Sequence, residues 1–460
     1  MAIFTRRDIL KSAAASSLVA GSGLSTALTS FAANAAIDTS GYKALVCVFF
    51  RGGLDAHDVL LPTDTADYNE FANIRASMLP AYGGARDPAQ LLPLSNSNHA
   101  FPPEYAELHS LYESGDLAVV SNVGPLITPT DADAFNNNTV PLPRALFSHN
   151  DQQSTWAALE SEGAQFGWGG RFADAVLGAG ANANPAFTAI SVADSDVFLS
   201  GDLAIEYQIR QNGGVVRVNE ITNPNFLGSA RNDPAAQDLI TDHLRAAGFS
   251  ASNFLENDIA AATARAVDNN AAYSNAFASA PNVAGLPGTR LGNRLRTVAQ
   301  TIAVRSALGV GRQVFFVSLG GFDSHSNQAT NLQRLLSEIS GAISGFYQAT
   351  IDLGVANDVT LFTASDFGRT LATNGDGTDH GWGGHHVVVG GAVRGREIYG
   401  AVPPSAISHS QGIRGGRLVP VTSVEQYAAT LGAWFGLDDP ALNAALPNLS
   451  NFVGRPDFLS

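Results

Sequence analysis

Six apolar runs punctuate this chain at intervals. Ala44 to Phe50, Leu117 to Ser121, Phe187 to Val192, Gln313 to Leu319, Val359 to Thr363 and Val387 to Val389 are rich in β-branched and aromatic residues and nearly free of polar breaks. A strand with one wet face alternates apolar and polar residues, so unbroken runs of this length predict strands covered on both faces. Between them, Leu332, Leu335, Leu336, Ile339, Ile343 and Phe346 form one stripe of a helix over Gln328 to Ile351, spaced as a 3.6-residue period requires. A second helix is expected over Glu425 to Phe435, opened by Ser423, and a shorter one over Phe172 to Leu177. Strands alternating with helices predict an α/β fold with a mainly parallel central sheet flanked by helices.

One region breaks the rhythm. From about 195 to 290 the chain is rich in Asn, Ala and Asp, shows helical patterning near 234–247 and 252–268, and ends in Pro281 and Gly285-Leu286-Pro287-Gly288. It reads as a helical insertion or cap on a single domain spanning 36–460. The polar stretch Asp131 to Pro143 reads as a surface loop. No internal repeat of fixed period is present.

Three of the predicted strands end in chemistry. Phe50-Arg51-Gly52-Gly53-Leu54-Asp55 and Leu319-Gly320-Gly321-Phe322-Asp323 both pass from an apolar run through paired glycines to an aspartate, and His325 follows the second. Asp366 ends a third run, followed within twenty residues by Asp379-His380 and His385-His386 in a glycine-rich segment. Ligands of open α/β sheets sit beyond the carboxyl ends of the strands, where these groups would converge. Each motif alone could be a turn closed by an Asx hydrogen bond. Together, carboxylates in one cleft repel one another unless a cation neutralises them. Asp55, Asp323, His325, Asp366 and His380 are therefore the candidate ligands of one or two divalent ions. Mixed oxygen and nitrogen donors suit zinc, manganese or iron better than calcium.

The first 35 residues read as an export address. Arg6-Arg7 precede a weakly hydrophobic stretch from Ser12 to Leu28 and an Ala33-Asn34-Ala35 cleavage pattern, as in a twin-arginine signal peptide. Cleavage would remove a net +2 (Arg6, Arg7, Lys11 and Asp8), taking the formal charge from −15 to −17. So acidic a chain is a poor partner for nucleic acid. No other run is long and apolar enough to cross a bilayer, so no membrane anchor is expected after cleavage, and a periplasmic or secreted location follows. Cys47 is the sole cysteine; it permits no intrachain disulfide and reads as a small buried hydrophobe.

The twin-arginine leader, Phe50-Arg51-Gly52-Gly53-x-Asp55, Phe147-Ser148-His149-x-x-Gln152-Gln153, Gly167-Trp168-Gly169-Gly170-Arg171, Gly321-Phe322-Asp323-x-His325, Ser365-Asp366-Phe367-Gly368-Arg369-Thr370 and Asp379-His380-Gly381 resemble the bacterial "domain of unknown function 1501" proteins over most of the mature chain. The resemblance implies a relation to the alkaline-phosphatase and sulfatase superfamily, an α/β sandwich with one or two metals at its strand ends. Asp55, Asp323, His325, Asp366 and His380 match the ligand roles of that superfamily by order. Phe367 stands where it often has a histidine, and the Cys/Ser-x-Pro-x-Arg signature of sulfatases is missing.

Ser148 opens a helical stretch, either as an N-cap of the Ser-x-x-Asp kind or as a nucleophile. His149 beside it could be an acid, a ligand or a solvated loop residue. Arg171 and Arg369 are candidate oxyanion clamps, each also suited to a structural salt bridge, and His385 is a candidate peripheral site residue. The expectation is an exported metal-dependent hydrolase of small-molecule or polysaccharide phosphate or sulfate esters, delivered by the twin-arginine machinery. The alternative is a non-catalytic, metal-containing envelope or extracellular-polysaccharide binding protein of the same fold.

Overall fold

The computed structural model describes residues 37–216, 242, 246 and 254–460. The expected signal peptide lies outside these residues, as does nearly all of the expected helix near 234–247. At the centre is a nine-stranded sheet. Its strands are β1 (Lys43–Arg51), β2 (Leu117–Gly124), β3 (Ala189–Ser191), β4 (Tyr207–Gln208), β5 (Arg312–Gly320), β6 (Val359–Ser365), β7 (Gly384–Val389), β8 (Ile398–Tyr399) and β9 (Thr422–Ser423). They lie in the order β8-β2-β7-β6-β1-β5-β3-β4, with β9 also paired to β2. β1 runs parallel to both neighbours, β5 and β6, whereas β7 is antiparallel to β6 and β2. The sheet is thus mainly parallel, and the carboxyl ends of β1, β5 and β6 share one edge.

Burial on both faces explains the unbroken apolar runs. In β1, Ala44, Val46, Val48 and Phe50 join one hydrophobic cluster, while Leu45, Cys47 and Phe49 join another. The first cluster is closed by α6 (Arg290–Ala303) and α7 (Gln328–Asp352), the second by α4 (Trp168–Gly178) and α8 (Val424–Phe435). All six residues of the predicted stripe on α7 are buried; each such Leu, Ile or Phe contributes about 1.5–3 kcal/mol of transfer free energy. Ser423 starts α8 with a capping box completed by Gln426, which satisfies two otherwise unpaired donors. The helix expected over 252–268 is found as α5 (Phe254–Phe277), whose Tyr273 packs its ring against Phe187 and Tyr207.

Two local expectations fail. Asp131 to Pro143 contains α2 (Ala132–Asn137), because the Asp131 side chain accepts the amide of Ala134 and caps a turn of helix. Phe187 lies in a 3-10 turn with Pro185 and Ala186 instead of in β3, since Asn184 caps that turn and Pro185 cannot donate to a ladder.

Candidate metal centre

Asp323 is carried to the sheet edge by a pair of matching turns. Gly52 after β1 and Gly321 after β5 both have φ of 115°, a conformation open to glycine. A Cβ on Gly52 would collide with the backbone nitrogen of Asp323. Gly52 therefore lets two adjacent strand ends approach closely enough to set this aspartate at the edge.

Three imidazoles gather around it. Asp323 Oδ1 lies 3.0 Å from His325 Nε2 and 3.3 Å from His380 Nε2, and these two nitrogens are 3.0 Å apart. Asp323 Oδ2 lies 3.4 Å from His149 Nε2. Ligand atoms of His149, Asp323 and His380 all fall within 4.8 Å of one another. His149 is the first residue of α3 (His149–Ala158), and His380 ends a short hairpin formed by Arg369–Thr373 and Thr378–His380.

The far nitrogens of the rings decide their tautomers. His149 Nδ1 is 2.6 Å from Asp366 Oδ2, and His380 Nδ1 is 2.7 Å from the Phe147 carbonyl. Both partners only accept, so both Nδ1 atoms carry hydrogen and, in the neutral rings, Nε2 presents a lone pair to the cluster. His149 Nε2 is buried without a hydrogen-bond partner. His325 Nδ1 is 3.4 Å from Asn374 Nδ2 and 3.7 Å from Asp379 Oδ1. Outer carboxylate and carbonyl partners that fix ring orientation in this way are typical of metal-ligating histidines. Phe147 is held at φ of 73°, a costly conformation for a bulky residue; here it accompanies a carbonyl bonded to His380. The Phe367 ring packs 4.8 Å from His149 and 4.7 Å from His380, centroid to centroid.

Protonation follows these contacts. The hydrogen bond to Asp366 raises the pKa of His149 above its ordinary value against the pull of desolvation. Desolvation lowers that of His380, aided by the charges of His149 and Arg369. Burial works to raise the pKa of Asp323, but the hydrogen bond and charge of Arg369, with His149 and His325, hold its carboxyl below the usual range.

The other candidates are placed differently. Asp366 is fully buried behind His149; its Oδ2 accepts from His149, from Gln153 at 2.9 Å and from the Gly52 amide at 3.1 Å, and its Oδ1 has no partner. Asp55 stands apart in a buried ion pair: Arg75 donates to both its oxygens, at 2.6 and 3.0 Å, Gln328 adds a third bond, and the His57 amide a fourth. It thereby caps α1 (Ala56–Val59), and it has the surroundings of a structural carboxylate, not of a ligand.

Arg369 is 1% exposed and is spent on Gly52 O, Asp323 and Thr378. It braces the strand ends and the hairpin, leaving little to clamp a substrate. Arg171 ties the start of α4 to the carbonyls of Ala158 and Ala445 and to Glu160, outside the cluster. Ser148 makes no cap bond; its hydroxyl donates to Asp151 at 2.8 Å. His385 points into the protein, its Nδ1 accepting the Asn122 amide at 3.1 Å and facing Ser121 Oγ, so it serves the sheet and not the site.

The buried histidines make acid stability a direct readout. Desolvation, aided by Arg75, lowers His57 to about 4, and desolvation lowers His386 to about 3. Unfolded, both titrate near 6.5, so between those values the unfolded chain binds more protons than the native one. Stability is then full above pH ~6.5 and falls on acidification, by about 2 kcal/mol for each of the two at pH 5. Urea midpoints of chelator-treated protein should be clearly lower at pH ~5 than at pH ~7.5; equal midpoints would contradict the burial of these rings.

Fold and site together define a mixed α/β protein with an aspartate–histidine cluster at the carboxyl edge of a mainly parallel sheet. The chain belongs to the family described as "Protein of unknown function (DUF1501)", which matches residues 42–446. No curated protein matches it. A solved structure described as "Crystal structure of Ps i-CgsB in complex with k-i-k-neocarrahexaose" is similar at 10% identity and a TM-score of 0.33, over 87% of this chain and 73% of that one. Among the described residues, no helix is long and apolar enough to cross a membrane.

Proposed function

We propose that the protein is an exported metal-dependent hydrolase of phosphate or sulfate esters with an alkaline-phosphatase-like fold. The observation that carries the reading is the convergence of His325 Nε2, His380 Nε2 and Asp323 Oδ1 within 3.0–3.3 Å of one another, beside the unpartnered Nε2 of His149. The His380 Nε2 lone pair and the Asp323 carboxylate, brought so close, repel unless a cation or proton lies between them. Asp323, His149, His325 and His380 would hold a divalent ion, zinc or manganese by donor type. Such an ion would polarise an ester oxygen and favour deprotonation of an attacking hydroxyl or water. Asp366 and the Phe147 carbonyl keep two of the rings in the tautomer that presents Nε2. Asp151 is placed to take the proton of Ser148 should that hydroxyl be the nucleophile. Export by the twin-arginine route, to the periplasm or beyond, is proposed from the leader alone.

Elemental analysis of protein purified without chelator, together with turnover of aryl phosphates and sulfates, tests the reading. Stoichiometric zinc or manganese and turnover are expected; protein without divalent metal would end it. Asp366→Asn is expected to lower metal affinity about 10–100-fold, the range for second-layer partners of ligating histidines, as read by competition with a chromogenic chelator. A second reading, a metal-containing polysaccharide or envelope binding protein, is favoured by Phe367, which packs against His149 and His380 and stands in sequence where the resembled superfamily often has a histidine. Metal without turnover would select it.

A further inference from the structure

An open pocket of about 520 Å³ lies along the same sheet edge, where β3 and β4 end. Asp194, Ser195, Gln208, Arg210, Asn212 and Arg294 line it. Its volume is that of a small-molecule site; beside Val192, Ala193, Ile209 and Val216 it is lined by two arginines and one aspartate, in a chain of formal charge −15. Arg294 is anchored from α6 by bonds to the Ser318 carbonyl and hydroxyl, while its Nε is buried without a partner. Asn212 accepts the Gly214 amide through its oxygen, leaving its NH₂ for a ligand. Among the described residues, no aromatic ring lines the pocket, so an occupant would be held there by hydrogen bonds and charge instead of stacking.

A continuous set of polar contacts links this pocket to the histidine cluster. Asp196, next to Ser195, pairs with Arg51 at 2.7 Å; Arg51 donates to Gln153 at 3.1 Å; Gln153 donates to Asp366, the partner of His149. We infer that the pocket is a second subsite, binding an anionic, hydroxyl-rich part of the ester. The substrate class is then a sugar carrying more than one phosphate or sulfate, one group placed at the cluster and another against Arg294 and Arg210. Guanidiniums pair with the oxyanion, and the amides of Gln208 and Asn212 with hydroxyls. The assignment of the substrate rests on the hydrolase reading; the existence of the subsite does not.

The test therefore uses binding, in protein whose cluster has been broken. Glucose 6-phosphate and glucose 6-sulfate are titrated calorimetrically into full-length Asp323→Ala protein, then into the same protein bearing Arg294→Gln or Arg210→Gln. Binding of at least one ester is expected to survive the loss of Asp323 and to weaken at least about tenfold with either arginine change, as loss of a charge-assisted bond requires. Arg210 is exposed, so its replacement keeps the comparison valid should Arg294→Gln fail to fold. Absence of binding, binding indifferent to Arg210→Gln, or inorganic phosphate and sulfate binding as tightly as the sugar esters would overturn the subsite. Arginine-dependent binding in the Asp323→Ala background, together with wild-type protein that holds no metal when purified without chelator, would sink the hydrolase reading and leave the subsite standing.

Discussion

Asp323→Ala is expected to strip the protein of its metal, lowering affinity by more than the roughly 10–100-fold that loss of a second-layer partner costs. Among the described residues, Asp323 is the one carboxylate that faces all three imidazoles, through Oδ1 at 3.0 and 3.3 Å and Oδ2 at 3.4 Å. Its side chain is 47% exposed, so its loss leaves no large cavity and the variant should fold. The buried Arg369 would lose one acceptor but keep Gly52 O and Thr378. Metal content measured after gel filtration, with circular dichroism as the control for folding, separates the effect from unfolding. A folded variant with unchanged metal content would remove Asp323, and with it the proposed centre.

Arg75→Ala should do the opposite, sparing the cluster's chemistry and breaking the fold. Arg75 and Asp55 have side chains 0% and 1% exposed, and Arg75 also donates to the carbonyls of Leu371 and Thr370. Removing the guanidinium leaves a carboxylate in a dry interior with only Gln328 and an amide, at a cost of about 3–5 kcal/mol. Urea unfolding should show that loss, or the variant should be insoluble. Asp55→Asn, which removes the charge and keeps most of the shape, should cost less and leave metal content unchanged. Folded Asp55→Asn without metal would return Asp55 to the ligand set.

These two aspartates show how far the sequence reaches. Asp55 and Asp323 follow strands that end alike, in paired glycines, and each has a histidine two residues later, His57 and His325, so nothing local separates them. The difference comes from Arg75, twenty residues beyond Asp55 in a segment without distinctive patterning, and from His149, which comes from a different part of the chain. His149 was recognisable only as a histidine at a helix start. Gln153 lay within a family motif, but its role as a donor to Asp366 depends on the packing of α3 against the end of β6. Arg171, Arg369 and His385 looked equally suited to binding or to structure. Their hydrogen bonds to backbone and to neighbouring residues resolve them as structural, and no periodicity could have revealed those partners.

What the sequence alone determined is six of the nine central strands, the helices α4, α5, α7 and α8, and the edge at which the polar residues emerge. Hydrophobic periodicity is a local property and records which faces are buried. Tertiary structure decided which of several equivalent carboxylates and imidazoles meet, which are neutralised by arginine, and which nitrogen of each ring faces the cluster. Those outcomes depend on distances of a few ångströms between residues as many as 317 positions apart, a scale at which only the folded chain brings charge, dielectric and hydrogen bonding together.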